Sequence, residues 1–363
     1  MSNLSSLFDD KEGVSLIDLS QIALATASVT VEAGTKFTVP MLRTLILSTL
    51  KHNALKFKSE GFNKTVICVD NAKFGYWRRQ FADYYKRNRA IAREKEAEKE
   101  VSFDWEGFFN ALVQVISELK EFMPYTVMDV KFCEADDCIA VITKYCVKNN
   151  IKVRIISSDG DFTQLHLLED VDQYSPVQKK FVKCKTGSPE EDCLVKIIKG
   201  DKKDGVASIK VRSDYWLTYD PESERTPSTS SKFITDLVGK SDDEIKEVFL
   251  SEIMKKASVK KINKETKLPV GLEYCINQLS LYGVHDASFV NTEINTLAEK
   301  ILEIQMNRFI ENRVLIDFNY IREDIKESIL NEYLNYKPAP RSKMYSYFVK
   351  TSQTKLLKEI NSF

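Results

Sequence analysis

The chain has 363 residues, 43% of them hydrophobic, and its 53 basic and 53 acidic residues give a formal net charge of zero. Such a chain can form one large or two modest domains, and no run approaches the roughly 18 apolar residues of a membrane helix. The start, "MSNLSSLFDD", lacks the pattern of a signal peptide, and the seven cysteines form no CxxC pair. These features disfavour a membrane protein, a zinc site and a disulfide framework, and they predict a soluble protein of a reducing compartment.

Short apolar strands alternate with helices through the first half of the chain. We predict strands over "GVSLIDLS", "TVICVDNA", "YTVMDVKF" and "KVRIISSDGD". Helices are predicted from about Pro40 to Ser59, over 104–123, and through "CEADDCIAVITKYCVKNN". This alternation predicts an α/β fold with a central, mostly parallel sheet flanked by helices. In such sheets, functional groups gather at the carboxyl ends of the strands.

A basic and aromatic stretch follows the second strand. Residues 73–99 carry nine Lys/Arg against four acids, so the zero net charge hides a basic region. Basic side chains there can neutralise phosphates, and aromatic rings can stack on unpaired bases. The alternative, left open, is an amphipathic helix whose aromatics pack inward, with Trp77 and Phe81 in the core. The candidate nucleic-acid contacts in this stretch are Arg78, Arg79, Tyr85, Lys86, Arg87 and Arg89.

Beyond residue 185 the sequence predicts a helical region. "SPEEDCLVKIIKGDKKDGVASIKV" indicates a helix, a tight polar turn and a second helix. Residues 220–231 form a polar loop, and residues 232–312 have a helical pattern with a lysine-rich stretch at 255–267.

Acidic residues recur where the predicted strands end. If the strands are parallel and adjacent, most of these carboxylates converge and require cations. Oxygen ligands select hard ions such as Mg²⁺ or Mn²⁺, and two such ions can hydrolyse a phosphodiester. Taken singly, an Asp after a strand is more often a turn residue or a helix cap. The acids concerned are Asp18, Asp70, Glu134, Asp136, Asp137, Asp159, Asp161, Asp201 and Asp204.

Six segments carry a resemblance to a known family: "LIDLS", "VICVDN", "YWRRQFADYYKRNR", "CEADDCIAVI", "ISSDGDFTQL" and "GDKKDGVAS". In order and spacing they resemble the flap endonuclease, or 5′-nuclease, family, and within it the ribonuclease H branch of T-even-type bacteriophages. The resemblance implies a Mg²⁺-dependent 5′→3′ exonuclease and flap endonuclease acting on RNA–DNA and DNA–DNA duplexes. Such an enzyme would remove RNA primers and adjacent DNA from lagging-strand fragments in the host bacterial cytoplasm.

The resemblance also implies roles for individual residues. A first metal ion would be served by Asp18, Asp70, Glu134, Asp136 and Asp159, and a second by Asp161, Asp201 and Asp204, with Asp137 beside both. Asp18, Asp70, Asp136 and Asp159 would thereby be catalytic, together with Lys86 and Arg89 near the scissile phosphate. Lys202 and Lys203 lie in the turn at about 200–208 that would grip the duplex backbone.

The domain organisation follows from the same resemblance. A tail over 1–11 would precede a catalytic domain over 12–185, whose helical arch spans about 87–104, and a helical DNA-binding domain over 186–363. Within the tail, "NLSSLF" resembles a sliding-clamp-binding peptide anchored by Leu4 and Phe8. A single-stranded DNA-binding protein is a candidate partner of the C-terminal domain, and we expect a monomer.

The sequence departs from the family in two places. "DGVASIKVRS" replaces the usual continuation of the last motif, which puts a bound potassium ion in doubt, and residues 233–305 resemble an insertion. Three other functions are disfavoured. A haloacid dehalogenase phosphatase needs an Asp-x-Asp pair on its first strand, whereas Asp18 is followed by Leu19 and Ser20. A Toprim domain would leave Asp18 and Asp70 unexplained. A catalytically weak scaffold at the replication fork would lack ligands that are present here.

Overall fold

The computed structural model describes residues 11–32, 34–219 and 227–363. Leu4 and Phe8, the predicted clamp-binding anchors, lie outside the described residues. The strands of the described part are β1 (Gly13–Asp18), β2 (Phe62–Cys68), β3 (Thr126–Met128), β4 (Lys152–Ile156), β5 (Val171–Ser175) and β6 (Lys180–Phe181). Its α-helices are α1 (Leu19–Thr30), α2 (Val39–Lys56), α3 (Trp77–Phe81), α4 (Arg87–Ala97), α5 (Trp105–Phe122), α6 (Ala135–Lys148), α7 (Pro189–Lys199), α8 (Tyr215–Thr218), α9 (Ser231–Thr235), α10 (Asp242–Ala257), α11 (Val270–Leu281), α12 (Ile294–Ile316), α13 (Glu323–Asn335), α14 (Ser342–Lys350) and α15 (Thr354–Lys358).

One sheet contains all six strands. Their order is β3-β2-β1-β4-β5-β6, and every neighbouring pair is parallel except β5 with β6. β1 lies between β2 and β4, so that Leu16 pairs with Val66 on one side and with Ile155 on the other. Every residue of β1 is buried, as is usual for a strand inside a parallel sheet. The predicted α/β fold with a mostly parallel sheet is confirmed.

The predicted helices of the first half begin and end close to the expected residues. Pro40 lies in the first turn of α2, where its missing N–H leaves no hydrogen bond unmade. Asp104 caps α5 by accepting a hydrogen bond from the backbone N–H of Gly107 (3.4 Å). The apolar stripe of α5 includes Leu112, Val115 and Leu119, all of which are buried.

Residue contacts divide the chain into two compact units. The first comprises the described residues up to Trp77, Arg93–Cys184 and Ile321–Phe363, and the second comprises Arg78–Ala92 and Lys185–Tyr320. Each unit has its own hydrophobic core. One boundary between the units lies beside the predicted division at 185/186. The last 43 residues, Ile321–Phe363, nevertheless belong to the first unit.

The predicted helix–turn–helix after residue 188 is only half present. α7 forms as expected, but Val206 then pairs with Asp201 in an isolated antiparallel bridge, and the next helix is the four-residue α8. Val206, Ile209 and Val211 are fully buried. Their apolar spacing reflects burial of an irregular segment and not a second helix.

Candidate active site

Three aspartates of the first unit lie at the carboxyl edge of the sheet. Asp18 is the last residue of β1, and Asp70 and Asp159 follow β2 and β4 by two and three residues. Because β2 and β4 are the two neighbours of β1, the three residues leave the sheet at adjacent positions. The chain order reverses between β1 and β4, which is the crevice where open α/β sheets bind ligands.

Asp18 shows that these carboxylates interact. Its side chain accepts hydrogen bonds from the backbone N–H of Gln21 (3.2 Å) and from the hydroxyl of Ser157 (3.1 Å). Burial, together with repulsion from Asp70 and Asp159, raises the pKa of Asp18 to about 7. The hydrogen bonds favour the charged form but do not compensate for burial and repulsion. This edge of the sheet is therefore strongly negative once its carboxyls ionise.

β5 holds the loop that carries Asp159. Gln173, which is buried, donates from its side-chain amide to the carbonyls of Ser157 (2.8 Å) and Asp159 (2.7 Å). The Asp159 carboxylate accepts a hydrogen bond from the backbone N–H of Asp161 (3.2 Å), at the start of a 3₁₀ helix. The position of the Asp159 backbone is thus fixed from the neighbouring strand.

The start of α6 brings three more acids together. Glu134, Asp136 and Asp137 place carboxylate oxygens within 4.8 Å of one another, close enough to share a cation. Glu134 and Asp137 are 2% and 0% exposed. Asp137 accepts hydrogen bonds from the indole N–H of Trp77 and from the backbone N–H of Glu134, both at 3.0 Å. Asp137 therefore also closes the first turn of α6.

A backbone contact joins this cluster to the edge of the sheet. The N–H of Ala135, the first residue of α6, donates to the carboxylate of Asp70 (2.8 Å). A helix N-terminus stabilises a nearby anion, and this contact places the Asp70 carboxylate next to the cluster.

The donors in this region suit a hard divalent ion. Carboxylate oxygens are the ligands that Mg²⁺ and Mn²⁺ prefer. The neighbouring thiol of Cys68 is poorly suited to a soft ion, because burial and then repulsion from Asp18 and Asp70 raise its pKa well above the usual range.

In the second unit, two predicted catalytic cations contact a predicted metal ligand. Lys86 Nζ lies 3.6 Å from the Asp204 carboxylate, and the Arg89 guanidinium is hydrogen-bonded to the same group. Arg89 Nε also donates to the carbonyl of Lys203 (3.0 Å). Burial would raise the pKa of Asp204, but Lys86 and Arg89, with lesser contributions from Lys203 and Lys196, lower it to about 2. Asp204 therefore carries a full negative charge at neutral pH.

Asp201 begins the turn at 200–208. Its carboxylate accepts a hydrogen bond from the N–H of Lys203 (2.9 Å) and lies 3.3 Å from Lys196 Nζ. Asn312, a fully buried residue of α12, donates from Nδ2 to the carbonyls of Ile197 and Ala207, both at 2.8 Å. The turn is thus held on both sides by one helix.

Three expectations for the basic stretch are corrected. Arg78 and Tyr85 are each only 1% exposed, and Arg78 Nε donates to the carbonyl of Leu315 (3.0 Å). Neither side chain presents a surface to nucleic acid, because both lie in the core of the second unit. Phe81, predicted to be in the core, is 52% exposed, whereas Trp77 is buried as expected. The alternative in which the aromatics pack inward holds for Trp77, Tyr84 and Tyr85.

Among the remaining predicted phosphate contacts, Lys86 is buried, with only 8% of it exposed, and the others lie at the surface. Arg79, Arg87, Arg89, Lys202 and Lys203 are all exposed. Their roles in binding nucleic acid stay predictions, as do the assignments of individual carboxylates to a first or a second metal ion.

Several residues that shape the site were not predicted from the sequence. Ser157 and Gln173 each hydrogen-bond a predicted site residue or its backbone from a buried position. Asn312, also buried, hydrogen-bonds the backbone on both sides of the predicted site residues of the turn. Asn312 had a detectable signal, because it is a polar residue on the buried face of a helix. Ser157 and Gln173 carried none.

Two family models together match most of the chain. The model described as T4 RNase H, C terminal matches residues 187–267 and 286–363, and the 5'-3' exonuclease, N-terminal resolvase-like domain matches residues 29–191. The chain is also 46% identical to Ribonuclease H of Enterobacteria phage T4 over 355 residues, which cover 98% of this chain and 97% of that protein. The chain belongs to the phage T4 ribonuclease H family of 5′-nucleases. The family predicted from the sequence motifs is thereby confirmed.

Two more distant proteins resemble this chain, one over part of its sequence and the other in its fold. The thermostable DNA polymerase I of Thermus thermophilus is 27% identical over 165 residues, which are 46% of this chain and 18% of the polymerase. A solved structure of the bacteriophage T5 flap endonuclease, a pseudo-enzyme-product complex with DNA and metal ions, has a TM-score of 0.53 and 17% identity. It covers 90% of this chain and 99% of that chain. At that identity the likeness supports the fold alone.

The matches also bear on two expectations from the sequence. The C-terminal family model runs through most of 233–305 and omits only 268–285 within it. Most of that stretch is therefore part of the family's C-terminal region and not an insertion. Separately, no helix in the described part of the chain has the length and apolarity needed to cross a bilayer.

Proposed function

We propose that this protein is a divalent-metal-dependent 5′→3′ exonuclease and flap endonuclease. The observation that carries the proposal is the acidic edge of the sheet, where Asp18, Asp70, Asp159 and the acids at the start of α6 come together in a member of the T4 ribonuclease H family. The reaction is hydrolysis of a phosphodiester bond near the 5′ end of a duplex.

The proposed cofactor is a pair of Mg²⁺ ions, for which Mn²⁺ can substitute. Bound divalent ions would supply an activated water and stabilise the charge that develops on the phosphate. Glu134, Asp136 and Asp137 are the residues best placed to hold one ion, because their oxygens already lie within 4.8 Å of one another. Asp18, Asp70 and Asp159 would complete the acidic environment. Asp161, Asp201 and Asp204 are the proposed ligands of a second ion.

Lys86 and Arg89 are proposed to act on the scissile phosphate. Both are held by Asp204 and its neighbours in the second unit. A phosphodiester, like a carboxylate, carries one negative charge shared by two oxygens and accepts charge-assisted hydrogen bonds from Lys and Arg. Substrate binding would therefore exchange one anionic partner of these cations for another.

The proposed substrates are RNA–DNA and DNA–DNA duplexes with nicks, flaps or free 5′ ends. The relative's name, Ribonuclease H, supports the RNA–DNA substrate, and the T5 flap endonuclease, which shares the fold, has been solved as a complex with DNA and metal ions. In the cell this activity would remove RNA primers and adjacent DNA from lagging-strand fragments. A sliding clamp at the N-terminus and a single-stranded DNA-binding protein at the C-terminal region are proposed partners of a monomeric enzyme in the host cytoplasm.

The decisive experiment uses a 5′-labelled duplex carrying a nick or a short 5′ flap. The protein is incubated with it in Mg²⁺, in Mn²⁺ and in chelator, and the lengths of the released products are measured. We expect short 5′ products in either metal and none in chelator. Absence of metal-dependent 5′ products would overturn the proposed activity. An RNA segment at the 5′ end tests primer removal in the same assay.

A further inference from the structure

The lysine-rich stretch noted in the sequence forms an ordered hairpin in the second unit, which we call the lysine hairpin (residues 259–271). Its two arms are joined by backbone hydrogen bonds from Gly271 to Val259 (3.0 Å) and from Val270 to Lys261 (2.8 Å). The tip is closed by a bond from Asn263 N–H to the Leu268 carbonyl (2.9 Å). The hairpin follows α10 and leads into α11, whose first two residues, Val270 and Gly271, close its second arm.

The hairpin is held rigidly at its base and at its tip. A Cβ at Gly271 would lie 1.8 Å from the carbonyl oxygen of Ala257, so only glycine allows this approach to the end of α10. At the tip, Glu273 of α11 accepts hydrogen bonds from the side-chain amide of Asn263 (2.9 Å) and from the hydroxyl of Thr266. An ordered loop loses little conformational entropy when it binds a ligand.

The hairpin and the adjoining end of α10 carry a concentrated positive charge. Residues 255–267 contain six lysines and one acid, which gives a charge of 6 − 1 = +5. Lys260, Lys261, Lys264 and Lys267 are exposed, and none of the four forms an ion pair with a residue that the structure describes. The pKa of Lys210 is lowered to about 8, first by burial and then by repulsion from Lys256.

One of these lysines occupies a backbone conformation that favours glycine. Lys267 has φ +65°, in the left-handed region, and its N–H donates to the Asn263 carbonyl (3.0 Å). A side chain at such a position costs about 1 kcal/mol relative to glycine. Strain of this kind is maintained by the surrounding structure and is common at binding and active sites.

We propose that the lysine hairpin is a second contact for the phosphate backbone of duplex nucleic acid, separate from the turn at 200–208. The inference deepens the proposed function, because its ligand is the duplex arm of that function's substrate. Lysine ammonium groups act as point charges on phosphates. The stretch 227–307 contains no arginine, so it has no guanidinium fork with which to read bases. Contacts to phosphates carry no sequence information, so we expect this contact to be independent of sequence.

The test measures DNA affinity in chelator, where no cleavage occurs. Variants are the triple substitution Lys260→Gln, Lys261→Gln and Lys264→Gln, and the single substitution Lys267→Gly. The matched control is Lys246→Gln, an exposed lysine of α10 that lies outside the hairpin. Binding to a flapped duplex of about 30 base pairs is followed by fluorescence anisotropy between about 50 and 200 mM salt, where each phosphate contact contributes about −0.9 to the salt slope.

We expect the triple variant to bind the duplex at least about tenfold more weakly than the wild type at about 100 mM salt. Its salt slope should be smaller by about 2 to 3, since each lost phosphate contact removes ~0.9. Lys267→Gly should reduce the slope by about 1 without lowering the unfolding midpoint, because glycine relieves the strained backbone. A purely structural role would instead lower the midpoint. Lys246→Gln should leave the slope unchanged.

Unchanged duplex affinity and an unchanged salt slope in the triple variant would overturn the inference. The inference would also be overturned if the triple variant kept its duplex affinity and lost binding only to an acidic protein surface. The outcome is separable from that of the cleavage assay. A reduced slope in a protein that cleaves nothing would support the hairpin contact and refute the proposed nuclease. In an active enzyme, the triple variant should raise KM for a long duplex and leave kcat within about twofold.

Discussion

Replacing Asp18 with Asn should stabilise the metal-free protein at alkaline pH. Asp18 is buried beside Asp70 and Asp159, and its pKa is raised from 3.8 to about 7. Asparagine removes the charge and keeps the shape of the side chain. The asparagine side chain can still accept a hydrogen bond from the Gln21 N–H and form one with the hydroxyl of Ser157.

The size and sign of this effect follow from proton linkage. A shift of about three pKa units at 1.36 kcal/mol each means that ionising Asp18 costs about 4 kcal/mol more in the folded protein than in the unfolded chain. Because the folded pKa is the higher one, unfolding releases a proton between about pH 4 and 7. The wild-type free energy of unfolding therefore falls as pH rises through that window and stays low above it. Asp18→Asn escapes this loss.

The assay is urea unfolding of both proteins in chelator at about pH 4.5 and pH 8. We expect a gain of ~2–4 kcal/mol for Asp18→Asn at pH 8 and little difference at pH 4.5. Saturating Mg²⁺ at pH 8 should stabilise the wild type more than the variant, because the ion binds only the folded carboxylates. Equal effects of the substitution at both pH values would refute the idea that these carboxylates repel one another.

Asp129 provides the control, since it follows β3 at the same edge but is paired. Its carboxylate lies 2.7 Å from Lys120 Nζ and accepts a hydrogen bond from Asn71 (2.8 Å). Asp129→Asn should therefore cost up to about 1 kcal/mol at pH 8, the opposite sign to Asp18→Asn.

Three further predictions concern catalysis, the turn and its ion pairs. Asp70→Asn and Asp159→Asn should each lower kcat by at least ~100-fold and change DNA affinity less than about threefold. Each substitution removes a charge needed to hold a metal ion but removes no contact with the duplex. Equal losses of affinity and kcat would contradict these roles. Gly200→Ala should destabilise the protein by about 2 kcal/mol or more, because its Cβ would lie 2.4 Å from the Val206 carbonyl at φ +80°. The control is Gly239→Ala, at φ +74° with no atom within 4 Å of its added Cβ, which should cost only ~1 kcal/mol. Equal shifts of the unfolding midpoint in the two variants would argue against tight packing of the turn at Gly200. Asp204→Asn should lower the free energy of unfolding by ~2 kcal/mol at pH 7, because the pKa of Asp204 is lowered from 3.8 to about 2 in the folded protein. The stabilisation from this shift is fully present above the unfolded pKa, so the variant loses it at pH 7. An unchanged unfolding midpoint would mean that the two cationic partners of Asp204 contribute nothing to stability.

The strand ends could be predicted because they combine two local signals. Asp18 and Asp159 each follow a run of buried apolar residues, and that pattern needs no knowledge of distant contacts. The order of the strands carries no such signal. Only the structure shows that β1 lies between β2 and β4, and this order makes Asp70 and Asp159 the two neighbours of Asp18.

The basic stretch could not be predicted correctly because its composition suits two environments. Arg78 and Arg79 are adjacent and chemically identical, yet one is 1% exposed and the other lies at the surface. The partner that decides the first case, the carbonyl of Leu315, is 237 positions away. The Arg89–Asp204 pair spans 115 positions in the same way. Helical periodicity describes one segment and contains no information about such distant partners.

The helix α4 has a consequence for local opening. None of its eleven residues is buried, so the hydrophobic packing that stabilises most protein helices contributes nothing here. The helix is held from outside by a few polar contacts, such as those of Arg89 with Asp204 and of Glu96 with Trp105, and a helix held in this way opens at a low free energy. Its amides should exchange with deuterium within seconds, whereas those of the buried helix α5 that follows should stay protected for hours. A protease added in trace amounts would find its first cleavage sites in α4.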